Sequence, residues 1–157
     1  VWNNFGTSLP PDTIIHVWLD HATLANVTSN GYYGILSDNG DLYLDHLDLM
    51  YNTFYDDDLL ANITSPAAAA HVLGGETCMW GETADGSDVL QTIAPRFAAA
   101  AERQWSYNVV TNSSDPTVEP RLQDFRCLLL RRGVPAAPVT NALAREAPTG
   151  PGSCEWQ

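Results

Sequence analysis

A chain of 157 residues with 45% apolar residues can bury a core of ordinary size. Its formal net charge of -12 argues against nucleic acid and anionic membrane surfaces as partners, because it repels both. No stretch is apolar for long enough to span a bilayer, and the first residues show no signal-peptide pattern. The chain opens at Val1-Trp2 without a methionine, so it is expected to be a fragment or a processed chain, with strand-like sequence from the start.

In chain order, Pro10-Pro11-Asp12 reads as a turn before the β-branched run "TIIHVWL", a first strand over 13–19. Residues 21–30 suit a helix that Gly31 closes, and "YYGILS" over 32–37 reads as a second strand that ends in the turn-rich "DNGD". Residues 42–60 mix aromatic and acidic side chains without a period, which predicts a long loop with short helical turns. "SPAAAA" has a serine cap and a proline at the first helical position. "HVLGGETCMW", 71–80, reads as a third strand.

After that, "APRFAAAAERQWS" predicts a helix opened by Pro95, with Arg103 near its end. Residues 108–120 read as a polar loop. "RLQDFRCLLLRRG" predicts a helix over 121–133 with Leu122, Phe125 and Leu129 on one face and Gly133 as its stop. The rest is an extended tail rich in alanine and proline. Strands alternating with helical or looped crossovers predict an α/β fold with a parallel sheet, and no internal domain boundary is evident. Three such units do not close a sheet, whereas a (β/α)8 TIM barrel takes eight. The expectation is therefore the C-terminal strands and helices of a barrel, incomplete on this chain. A small open α/β sheet is the alternative.

Three sequons, at Asn26, Asn62 and Asn112, fit the N-glycosylation pattern and point to a lumenal or extracellular protein. Cys127 and Cys154 would pin the tail, about 134–157, to the last helix, and closing that loop would stabilise the fold by roughly 3 kcal/mol. Cys78 is then left over and reads as a buried thiol that packs like a small apolar residue. His16, His21, His46 and His71 show no metal spacing, and neither "YDDD" nor "DGSD" has the pattern of a calcium loop. No metal and no cofactor is expected.

In a barrel, the C-terminal ends of strands face the active site. That rule selects Trp2, Trp18, the Tyr43–Asp45 pair, Trp80 and Glu82, a set of indoles, a phenol and carboxylates. Sugars present apolar C–H faces to aromatic rings and hydroxyl edges to carboxylates, so this set suits a pyranose.

The segments "GGETCMWGE", "APRFAAAAERQWS" and "FRCLLLRRGVPAAP", with "PPDTIIHVW" and "GILS…LYLD" before them, closely resemble the C-terminal barrel segment of family 20 β-N-acetylhexosaminidases of the lysosomal type. The resemblance implies a (β/α)8 barrel that removes terminal N-acetylglucosamine or N-acetylgalactosamine with retention. The substrate's own 2-acetamido group is the nucleophile in that family, an exception to the two-carboxylate scheme. Its general-acid Glu and the neighbouring Asp that orients the acetamide belong to an earlier strand, which this chain does not contain.

By the same resemblance, Trp2, Trp18 and Trp80 wall the terminal-sugar site, with Trp80 as the platform under the ring. Tyr43 matches the tyrosine that hydrogen-bonds the acetamide oxygen, Glu82 the carboxylate on the distal hydroxyls, and Cys127 with Cys154 the family's late disulfide. Leu42 stands where the family usually has an aromatic residue. Asp45 is expected to repel sulfated sugars. Relatives dimerise and lend a tyrosine to the partner's pocket, so a homodimer is implied, but here that offset falls on Leu49, with Tyr51 nearby. The remaining partners are the N-terminal part of the same barrel and the terminal HexNAc of glycans. The implied location is lysosomal or secreted. Two other readings stay open, a catalytically inactive carbohydrate-binding barrel and an endo-acting glycosidase.

Overall fold

A computed structural model describes residues 2–107 and 112–140. In chain order its elements are α1 (Trp2–Phe5), a 3-10 turn (Gly6–Ser8), β1 (Ile14–Val17), α2 (His21–Ser29), β2 (Tyr33–Leu36) and α3 (Tyr51–Asp56). They continue with α4 (Pro66–Ala69), β3 (Val72–Gly75), α5 (Val89–Ile93), α6 (Arg96–Trp105) and α7 (Val118–Arg131). These elements form two units. The first takes the described residues up to Leu42 together with Asp58–Glu76; the second takes Tyr43–Asp57 and the described residues from Thr77 onward.

The first unit is the α/β part. Its three strands lie parallel in the order β1-β2-β3, with Ile14 opposite Tyr33 and Val17 opposite Leu36. β2 pairs with β3 through a register shift at Gly34/Ile35. Strand alternation sorts the side chains by face. Ile15, Val17 and Leu36 are buried, while Ile14, His16, Tyr33 and Leu73 are exposed on strands of the same sheet.

α2 covers the buried side with Leu24 and Val27, both fully out of water, each burial worth about 1.5–3 kcal/mol. Its close approach requires Gly34, because a Cβ there would run into the Cδ1 of Leu24. α2 starts where Asp20 accepts a hydrogen bond from the Thr23 amide at 2.7 Å, and α4 starts at its Ser65 cap with Pro66 in the first turn.

The second unit is helical. α3 packs on α6, with Phe54 fully buried between neighbours, and Phe97 of α6 meets Phe125 of α7 edge to face, centroids 6.1 Å apart. α7 turns Val118, Leu122, Arg126 and Cys127 inward. Gly133, at φ 76°, ends it as expected, and the Val134 amide folds back to the Leu129 carbonyl.

Four expectations are corrected. The third strand ends at Gly75 rather than at Trp80, because its pairing with β2 stops there, opposite Leu36, the last residue of β2. Beyond it only Cys78 keeps a parallel bridge, to Tyr43. The opening residues are helical, not strand-like, so Trp2 sits on a helical turn. α7 begins at Val118, three residues earlier than its periodicity suggested, since Pro120 lies in the first turn, where a missing N–H costs nothing. Cys78 is half-buried rather than buried, and outside any disulfide as expected. The Cys127–Cys154 bridge and the extended tail from 141 onward lie outside the described residues; Cys127 itself is buried.

The Asp20 cap carries a pH signature. The Thr23 amide and hydroxyl hold its carboxyl below the ordinary aspartate range. A depressed carboxylate stabilises the fold above its unfolded pKa of about 3.9, and that stability is lost as pH falls through the lower folded value. Asp20→Ala is expected to cost about 1 kcal/mol at neutral pH, with the difference from wild type closing in strong acid. Thermal unfolding of both proteins from pH 7 to pH 2 measures it; a pH-independent difference would contradict the assignment.

Candidate functional site

Each unit carries part of the residue set picked out by sequence. In the first unit, Trp2 and Trp18 both line a cleft of about 550 Å³ along the outer side of β1, shared with His16, Asn3 and Thr23. Trp18 follows β1 and leaves half its surface exposed, at 52%. Trp2 is steadied by an edge-to-face contact with Tyr32, centroids 5.2 Å apart. Tyr32 in turn donates its hydroxyl to the Leu9 and Thr7 carbonyls at 2.8 and 3.1 Å, so a buried phenol fixes the segment that follows the helical turn of Trp2.

Two histidine–carboxylate pairs lie at this end of the sheet. His16 Nε2 and Glu76 Oε1 are 2.6 Å apart, linking β1 to the segment just after β3, and both remain about half exposed. His21 Nδ1 meets Asp38 Oδ2 at 3.1 Å in a mostly buried position. His71, expected to be structural, sits with Nδ1 2.8 Å from the Ala67 carbonyl and its ring against Tyr33.

The second unit brings together Tyr43, Asp45 and Trp80. The segments holding them run side by side through the Tyr43–Cys78 bridge, reinforced by the Leu44 amide donating to the Cys78 carbonyl at 2.7 Å. The Tyr43 and Trp80 ring centroids are 6.1 Å apart at a 49° tilt. Tyr43 is 9% exposed and Trp80 49%, so a largely buried phenol stands beside an open indole face. The Trp80 amide donates to Asp45 Oδ1 at 3.4 Å, which orients the carboxylate. Glu82 follows in an exposed bend. Tyr51, named above beside Leu49, points its hydroxyl at Glu119 at 3.4 Å within its own unit, and burial with the Glu119 charge pushes its pKa up.

Arg96 was missed by sequence reasoning. It is 4% exposed at the first position of α6. There its guanidinium donates to the carbonyls of His46 at 2.8 Å, Leu49 at 2.9 Å, Thr92 at 2.6 Å and Leu44. The Phe54 ring lies 5.4 Å beneath it. Burial pulls its pKa down, and the Asp45 and Asp48 charges act against that shift. A cation in the first turn opposes the helix dipole, so an arginine right after the proline that opens a helix was the available signal.

Lower in this unit, Glu102 accepts from Tyr55 at 3.0 Å and pairs with Arg121 at 2.5 Å, which ties α3, α6 and α7 together. Among the described residues no cluster of His, Cys, Asp and Glu could hold a metal ion, and no helix is long and apolar enough to cross a membrane.

Residues 1–108 match the model of the glycosyl hydrolase family 20 catalytic domain. The chain is 49% identical to beta-hexosaminidase 1 of Arabidopsis thaliana over 99% of this chain and 29% of that protein. It is 41% identical to beta-hexosaminidase subunit alpha of Bos taurus over 83% of this chain and 25% of that protein. The chain thus spans less than a third of the curated relatives it matches. Among solved structures, the GH20 exo beta-N-acetylglucosaminidase of Vibrio harveyi in complex with N-acetylglucosamine superposes with a TM-score of 0.71 at 24% identity, over 83% of this chain and 23% of that one. The Flavobacterium johnsoniae chitobiase gives a TM-score of 0.69 at 26% identity, over 87% and 21%.

Proposed function

The chain belongs to glycosyl hydrolase family 20, and from that membership we propose that it forms the C-terminal part of the (β/α)8 catalytic barrel of an exo-β-N-acetylhexosaminidase. The observation that carries the reading is the pairing of a largely buried Tyr43 with the open face of Trp80, 6.1 Å away on a bridged neighbouring segment. An indole face stacks on the apolar side of a pyranose, and a phenol beside it reaches a substituent on the ring.

In this reading Tyr43 donates its hydroxyl to the carbonyl oxygen of the substrate's 2-acetamido group and holds that oxygen in line with the anomeric carbon. Positioning of this kind turns a loose encounter into an intramolecular attack. The acetamide oxygen forms the new bond to the anomeric carbon as the glycosidic bond breaks. The leaving oxygen takes its proton from a general acid on the preceding part of the barrel, and water later opens the cyclic intermediate with retention. Trp80 is the platform and Glu82 binds distal hydroxyls, and the family resemblance assigns Trp2 and Trp18 to walls of the sugar pocket. Asp45, held by the Trp80 amide, places a negative charge beside the sugar.

The exposed asparagines of the three sequons, Asn26, Asn62 and Asn112, support passage through the secretory pathway, to a lysosome or the outside of the cell, although Thr28 of the first is buried in α2. Partners in this proposal are the rest of the barrel, glycans that end in HexNAc, and a second copy of the enzyme.

The test uses the complete enzyme that carries this segment. It is expected to release the aryl group from a β-N-acetylglucosaminide, to leave the plain β-glucoside intact, and to be blocked by N-acetylglucosamine-thiazoline. Sugar binding without cleavage would instead identify a carbohydrate-binding barrel.

Asp45 sets a second expectation. A 6-sulfated aryl N-acetylglucosaminide should turn over about tenfold more slowly than the unsulfated one, because like charges repel at close range. Equal or faster turnover of the sulfated substrate would overturn the role given to Asp45.

A further inference from the structure

We propose that Arg96 is a positioning residue for the Tyr43 hydroxyl, acting through the backbone that carries Tyr43. The inference rests on the hexosaminidase reading and adds to it a residue that touches neither sugar nor acetamide.

Tyr43 does not stand on a regular strand. It lies in an isolated bridge, where the ladder that holds a barrel strand in register is reduced to a single contact. Something else must fix its backbone. The Leu44 backbone is held at both of its polar groups: its N–H donates to the Cys78 carbonyl at 2.7 Å, and its C=O accepts from Arg96 Nη2. Arg96 Nη1 takes the carbonyls of His46 and Leu49 at 2.8 and 2.9 Å, the next turns of the same loop. Its Nε and Nη2 also reach the Thr92 carbonyl, at 3.2 and 2.6 Å, anchoring the guanidinium to the end of α5. One planar cation thereby ties the loop after Tyr43 to a helix elsewhere in the sequence.

The chemistry of the group fits the task. A guanidinium has five N–H donors in a rigid plane, enough for carbonyls arriving from two segments, and it stays charged when buried. The Phe54 ring below it fixes the plane. Lysine has three donors on a compact head and cannot reach the same set. Since Leu44, whose carbonyl Arg96 grips, directly follows Tyr43 in the chain, a shift of the loop moves the phenol. A displacement near 1 Å at a reacting group can cost about a hundredfold in rate.

The experiment measures kcat and KM of the complete enzyme on an aryl β-N-acetylglucosaminide for wild type, Arg96→Lys, Tyr43→Phe and the double variant. Arg96→Lys should lower kcat by about tenfold or more while KM moves less than about threefold, since the loss falls on the transition state. In the Tyr43→Phe background the same substitution should change kcat by less than about twofold, because no hydroxyl is left to position. Phe54→Leu keeps the fork intact and loosens only its plane, so it serves if Arg96→Lys does not fold; its kcat loss, about threefold, should likewise vanish without the Tyr43 hydroxyl. Unchanged kcat in folded Arg96→Lys, or equal losses with and without the hydroxyl, would overturn the proposal and leave Arg96 a packing residue. A wild type that cleaves no acetamido substrate would instead overturn the hexosaminidase reading.

Discussion

A parallel sheet is stable only when both of its faces are covered, and in the first unit one face is. Leu24 and Val27 of α2 seal the side that bears Ile15, Val17 and Leu36. The other side holds Ile14 at 55% exposure, Leu73 at 52% and Tyr33 at 41%, with the His16–Glu76 pair among them. Exposed apolar residues in this number on one sheet face belong to an interior. The proposed barrel satisfies that constraint: side chains from further strands would fill the open face in layers, and β1 would gain a neighbour on its outer edge. The placement of Trp18 follows from the same geometry, two residues beyond His16 on the alternation and past the last pairing of β1 with β2.

The second unit meets a different demand. Its site segments are loops, so their precision comes from side chains that replace a ladder. Arg96 grips the backbone after Tyr43, and the Trp80 amide meets Asp45. Glu102 and Arg121 bind the three helices behind them with Tyr55. Buried or half-buried charges are costly unless each donor is met, and here carbonyls and carboxylates meet them. The cost of burying Arg96 is thus offset where the chain most needs a fixed loop.

Much of this was legible in the residues. β-branched runs bounded by turn signals located β1 and β2, the Ser65-Pro66 pair located α4, and alanine-rich periodicity located α6. The strand-end rule placed Trp18 just past β1, whereas Tyr43 lies in an isolated bridge and Trp80 beyond the end of β3. What stayed hidden has physical causes. Short helices such as α1 and α5 have too few turns to show a period, and their helical state is set by tertiary packing. The third strand was read too long because Cys78, Met79 and Trp80 are apolar, whereas its length is set by the neighbouring β2, whose pairing ends with Leu36 opposite Gly75. The start of α7 was concealed by Pro120, a residue that ends helices from within but is harmless in a first turn. Arg96 looked like one charge in an alanine helix, since its role depends on carbonyls of Leu44, His46 and Leu49 that no local pattern reveals.

The central claim is that this chain contributes sheet and sugar-contacting groups to a closed barrel. A crystal structure of the complete enzyme with N-acetylglucosamine-thiazoline bound tests it most directly. The account predicts a further parallel strand paired along the outer edge of β1, the pyranose stacked on Trp80, and the Tyr43 hydroxyl within hydrogen-bond distance of the thiazoline ring. An outer edge of β1 left in solvent, or a ligand bound away from Trp80 and Tyr43, would contradict it.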